Sequence, residues 1–169
     1  MKKSILYLVA TMVFTGLVQA EEKPLIRMET HSYQLTVVKD KKGKIVRDKQ
    51  GKPVKKWLRA TKVVPGTIVK YVDTITNESN ETLKDAKIAN PINENLLFVE
   101  GSAASEAAFS VTYSVNGGKH YDVPANLFVV GKDMKKHPAQ AKDYNVVLFS
   151  VDEVPAHSKV DVAFKVKLK

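Results

Sequence analysis

The C-terminal segment carries the clearest pattern in the chain. Val160, Val162, Phe164, Val166 and Leu168 alternate with Lys159, Asp161, Lys165 and Lys167, a period of two that puts the apolar set on one face of a β-strand and the charged set on the other. Tyr144 to Val151 is apolar on both faces, as a central sandwich strand should be. Val69, Tyr71 and Ile75 mark one face of a further strand. Leu83 to Ala89, Asn95 to Val99 and Phe109 to Val115 follow, separated by turns rich in Asn, Gly and Pro, and Asn116-Gly117-Gly118 is a hairpin signal. Helical period is never sustained beyond about two turns. The pattern predicts an all-β fold, an Ig-like antiparallel β-sandwich of about seven to ten short strands. Gly131 to Lys142, a polar stretch with Pro138, reads as a loop with room for a single helical turn.

Nearer the N-terminus the pattern becomes shorter and more basic. Tyr33, Leu35 and Val37 alternate with polar residues, Ile45-Val46 suggests a short middle strand, and Val54 to Leu58 a returning one. Between them Asp40-Lys41-Lys42-Gly43-Lys44 is echoed eight residues later by Asp48-Lys49-Gln50-Gly51-Lys52. Asp favours the first position of a tight turn and Gly supplies its left-handed residue, so the segment predicts a three-stranded basic β-meander with turns at opposite ends. Trp57, the only tryptophan, is expected to anchor this ribbon to the body of the domain, with ligand stacking as the competing reading.

The first twenty residues follow another logic. Met1-Lys2-Lys3 is basic, Ile5 to Leu17 is apolar, and Val18-Gln19-Ala20 offers small residues for cleavage; this order predicts a secretory signal and a chain starting at Glu21, periplasmic or secreted. No later apolar run is long enough to span a bilayer. The expected organisation is a signal peptide over 1–20, N-terminal strands and meander over 21–62, and a sandwich over 63–169 packed with 21–62 as one domain.

With 44% hydrophobic and 27% charged residues the composition is that of an ordinary globular chain, and the absence of cysteine removes disulfides, zinc ribbons and a thiol nucleophile. The formal net charge of +9 is unevenly placed: between Lys39 and Lys56 nine basic residues face only Asp40 and Asp48. Lys41, Lys42, Lys44, Arg47, Lys49, Lys52, Lys55 and Lys56 are therefore candidates for binding a polyanion such as lipopolysaccharide or an acidic glycan. The competing reading is a solvated edge protected by lysine against sheet-to-sheet association.

Catalytic patterns are missing. His31, His120, His137 and His157 lack metal-ligand spacing, Ser102, Ser105 and Ser110 have no partnered His and Asp, and no Gly-x-Ser-x-Gly, phosphate loop or dinucleotide fingerprint occurs. The expectation is a protein that is not an enzyme and needs no cofactor or metal, with an envelope or surface protein or an acidic glycan as partner and no specific nucleic acid. Glu78, Glu81 and Asp85 read as a solvated turn, as do the sequons at Asn77 and Asn80. Asp73 shares the apolar face of Val69, Tyr71 and Ile75 and needs a polar partner there.

Val64-Pro65-Gly66-Thr67, Val69-Lys70-Tyr71 and Ile75-Thr76-Asn77, followed by Ala86 to Pro91, Leu96 to Val99, Gly101-Ser102 and Val154 to Ser158, resemble the bacterial surface repeat called domain of unknown function eleven. The resemblance runs from about Val63 to Lys167 and leaves most of the basic segment outside. It implies an Ig-like fold on exported or surface proteins, with no established catalytic residues. Asn90 stands for an acidic residue, Ala156 for a turn glycine and Asp73 for an inward aliphatic one, and the repeat occurs once here where the family usually runs in tandem. The function expected is an exported non-enzymatic module with a structural or protein-binding role at the bacterial envelope, the alternative being a polyanion-binding protein.

Overall fold

The computed structural model describes residues 25–169, so the predicted signal segment 1–20 lies outside the described residues. Among the described residues the strands are β1 (Ile26–Val37), β2 (Lys55–Arg59), β3 (Ile68–Asn77), β4 (Leu83–Pro91), β5 (Leu96–Phe98), β6 (Ala104–Ser105), β7 (Phe109–Ser114), β8 (Phe128–Val130), β9 (Lys136–Pro138), β10 (Val146–Val154) and β11 (Ser158–Leu168). They pair antiparallel throughout. One sheet has the order β2-β1-β3-β11-β5, with β6 also on β11; the second is β4-β10-β7, and β8-β9 is a separate ribbon.

The alternation read from the sequence decides which faces meet. Val162, Phe164 and Val166 of β11 and Val69 and Ile75 of β3 are buried against Val147, Phe149 and Val151 of β10 and Ile88 of β4, giving an all-β antiparallel sandwich. Sequence order crosses between the two sheets four times, from β3 to β4, β4 to β5, β6 to β7 and β10 to β11, so β11 lies beside β3 in one layer and β10 beside β4 in the other. Aromatic rings fill the interior. Phe164 stacks on Tyr71 at 5.4 Å between centroids and meets Phe149 at 6.2 Å, while Tyr113 stacks on Tyr144 at 4.4 Å.

Two buried polar groups tie the layers together. Asp73 is fully buried; its Oδ1 accepts from the Thr30 hydroxyl of β1 at 2.5 Å and its Oδ2 from the Asn90 amide of β4 at 2.7 Å. The need for a polar partner is thus met by side chains on two other strands, one in each sheet. Burial pushes the Asp73 carboxyl above its ordinary range, and the two hydrogen bonds pull it partly back. Asn77, also fully buried, aims its Nδ2 at the carbonyls of Glu81, Val154 and Pro155 at 2.8, 2.9 and 3.1 Å, while its Oδ1 accepts from Ser79. The asparagine of the first sequon therefore joins the β3–β4 turn to the β10–β11 turn. In that second turn His157, not Ala156, takes the left-handed conformation, with φ of 53°, and its ring meets Asn80 Oδ1 at 2.9 Å.

The meander expected around Ile45-Val46 does not form as three flat strands. Only the isolated bridges Lys39 with Ile45 and Arg47 with Pro53 occur. The reason lies in three backbone hydrogen bonds, each 2.9 Å long: Val46 N–H donates to Val38, Val54 to Val46, and Val38 to Val54. A flat meander cannot pair its outer strands. Here the three valines close a ring, and each eight-residue unit is a loop that leaves and rejoins it. Gly131 to Lys142 contains β9 and the start of a single 3-10 turn, Ala141–Asp143, because Gly131 N–H bonds Lys135 and folds the stretch back on β8.

Candidate functional site

The valine ring caps the β1–β2 hairpin just beyond the pair Val37–Lys55, and the two basic loops form its tip. Each loop is built in the same way. Asp40 Oδ1 accepts from the backbone N–H of Lys42 and Lys44 at 2.8 and 2.9 Å, and Asp48 Oδ1 accepts from Gln50 and Lys52, both at 2.9 Å. Gly43 and Gly51 close the loops with φ of 79° and 76°, a region that costs other residues strain. The acidic residues of the segment are thereby committed to backbone. Lys41, Lys42 and Lys44 project from the first loop and Lys49 and Lys52 from the second, all exposed. Arg47 is exposed as well and donates to the Gly51 carbonyl at 2.8 Å. Lys55 and Lys56 belong to β2, where alternation sends them to opposite faces. Among the described residues none of these eight cations is in an ion pair.

Behind the tip, the outward face of the larger sheet carries more positive charge than the linear sequence suggests. The register places Arg59, Tyr33, Lys70 and Lys165 in one row across β2, β1, β3 and β11. The Arg59 guanidinium and the Lys70 ammonium lie 5.3 and 5.6 Å from the Tyr33 ring centroid, and Lys70 and Lys165 lie 5.6 and 5.9 Å from that of Trp57. These are cation–π distances. Trp57, expected to anchor the ribbon, is not part of the hydrophobic core: it stays partly exposed on the outward face, where Lys70 of β3 and Lys165 of β11 approach its ring. Tyr33, Arg59, Lys70 and Lys165 escape a sequence reading because they belong to four different strands. The outward alternation of Lys165 and Lys167 was the one visible trace.

Elsewhere polar groups find partners close by. His137 meets Asp133 at 2.9 Å, and this hydrogen bond, with one from the Lys135 backbone, holds the Asp133 carboxyl below its ordinary range. Asp122 is likewise held low by the Asn126 amide and the Val123 N–H. Glu78 pairs with Arg27, and Asp85 lines a separate recess with Lys84, Asp152 and Glu153. Ser105 donates to the Asp161 carbonyl and Ser102 bonds the backbone of Lys165. Among the described residues no three His, Asp or Glu side chains converge as a metal site would require, and no helix is long and apolar enough to cross a membrane.

No family model matches the chain, and no curated protein matches it. A solved structure from Corynebacterium diphtheriae, described as "Putative membrane anchored protein", is similar over 91% of this chain with a TM-score of 0.44 and 14% identity. The chain spans 30% of that protein's length.

Proposed function

We propose that the protein is an exported, non-enzymatic binding module of the bacterial envelope that holds an anionic polymer at its basic tip. The observation that carries this reading is the division of labour within the tip: both aspartates serve the backbone, leaving the cations without carboxylate partners. Unpaired cations held on a fixed scaffold attract polyanions over a distance set by salt. Export is supported by the basic, apolar and small-residue order of positions 1–20. The test is retention on immobilised heparin. Binding that disappears at about 0.5 M salt, where the screening length is only a few ångströms, and that is lost on replacing Lys41, Lys42, Lys44, Lys49 and Lys52 by Gln, supports the reading; retention indifferent to either change refutes it.

A second reading, a protein-binding or structural role, draws on the β8–β9 ribbon. Phe128 is 50% and Val130 63% exposed, and Met134 between the strands is 85% exposed, an apolar set of the kind that protein contacts cover. Cross-linking to an envelope protein that survives neutralisation of the tip, and fails with Phe128→Ser and Met134→Ser, would move the role to this ribbon.

A further inference from the structure

The row of rings and cations behind the tip has a chemistry the tip lacks. Tyr33 and Trp57 sit on neighbouring strands, diagonal to one another in the β1–β2 register, with Lys70 within cation–π distance of both rings and Lys165 beside the second. None of these lysines is in an ion pair among the described residues. Farther from the tip the same outward face is mixed in charge: Glu29 and Asp161 flank Thr74 in one cross-strand row, and Arg27 and Lys159 flank Thr76 in the next. The row nearest the tip is therefore the one where cations and rings stand together without a carboxylate.

We propose that this face is an acidic-glycan site, in which Tyr33 and Trp57 take the apolar faces of successive sugar rings while Lys70 and Lys165 take their carboxylates. The proposal rests on the polyanion reading of the tip and adds to it the kind of polymer. A polymer of inorganic phosphate has charge and no ring face, so two aromatic surfaces gain nothing from it. Nucleic acid has both; against it stands the predominance of lysine, a point charge suited to carboxylates, over the arginine forks that phosphate recognition prefers. The tip would then gather the polymer from solution and the row would choose among polymers, a separation of rate from specificity that charged and stacked contacts generally allow.

The single tryptophan makes the site directly observable. The experiment titrates the purified protein with polygalacturonate, with polyphosphate of matched charge and with single-stranded DNA, following Trp57 emission and retention side by side. The expected result is a saturable emission change with polygalacturonate alone, while polyphosphate is retained without one. Trp57→Leu should weaken polygalacturonate binding about tenfold, the effect of one lost stacking contact, and polyphosphate binding less than twofold. Lys165→Gln, which keeps both rings and does not disturb β2, should weaken polygalacturonate selectively as well. Equal emission changes with polyphosphate, or no selective loss in either variant, overturn the glycan assignment and leave the tip reading intact. A larger emission change with DNA than with polygalacturonate assigns the face to nucleic acid and overturns the proposal. Retention of none of the three polymers removes the tip reading too.

Discussion

Asp40 and Asp48 at the tip and Asp73 in the sandwich are the same side chain put to opposite uses. The first two are exposed and accept hydrogen bonds from backbone two and four residues ahead. The third is fully buried and accepts from side chains 43 residues behind it and 17 ahead. A local bond shapes a loop without reference to the rest of the chain. A long-range bond exists only when strands from both sheets are already in place, so it reports and reinforces the fold. The difference separates two kinds of structural carboxylate, one that shapes a single loop and one that ties distant strands, and neither kind neutralises the exposed lysines of the tip.

The contrast can be broken most forcefully from the sandwich side. Phe164 is 1% exposed among Tyr71, Phe98 and Phe149, and Phe164→Ala should cost about 3–5 kcal/mol in denaturant unfolding; a loss under about 1 kcal/mol would show that β11 does not close the core. Asn77→Ala removes the buried bond to the Val154 carbonyl and the link between the two turns and should cost about 2–3 kcal/mol, with no effect on heparin retention. Asp73→Leu leaves the Asn90 amide without its acceptor and should cost about 1–3 kcal/mol.

A finer test uses pH. Because burial raises the Asp73 carboxyl above its unfolded value, the folded state holds this proton more tightly than the unfolded one. The contribution of Asp73 to stability is therefore fully present below its unfolded pKa and is lost as pH rises through its folded pKa. Asp73→Asn keeps both bonds, its amide donating to the Thr30 hydroxyl and its oxygen accepting from Asn90. The melting temperature of this variant relative to the wild type should climb as pH rises through the carboxylate range and then level off. A difference flat with pH would mean that Asp73 titrates as it does in the unfolded chain. The smallest expected stability effect is at the tip, where replacing the five loop lysines by Gln should change stability by under about 0.5 kcal/mol while removing heparin retention.

How much of this was legible in the sequence depended on the range of the interactions. β11 was readable because five apolar residues at period two need no partner to declare a buried face. The turns at Asp40 and Asp48 were readable because their hydrogen bonds lie within the repeated unit. Asp73 could be recognised as an anomaly from its own strand, but Asn90, noted only as a departure from the surface-repeat pattern, could not be identified as its partner, since the two meet only across the sandwich. Asn77 looked like ordinary turn chemistry for the same reason: two of its carbonyl partners lie on the far side of the sequence, at Val154 and Pro155. The three-stranded meander failed because pairing of Val38 with Val54 cannot be inferred from two adjacent turns. The outward row of Tyr33, Lys70 and Lys165 depends on register, which alternation constrains to one face but does not fix by position.

The ring of three valines has a consequence for how this molecule can change over generations. Each loop begins and ends at the same closed set of backbone bonds, so its length, charge and shape can be rewritten without shifting the pairing of β1 with β2. The eight-residue unit has in effect already been copied once, Val38 to Ile45 becoming Val46 to Pro53. Editing these two cassettes could therefore change the charge and shape presented at the tip while the sandwich, with Asp73, Asn77 and Asn90, stayed as it is.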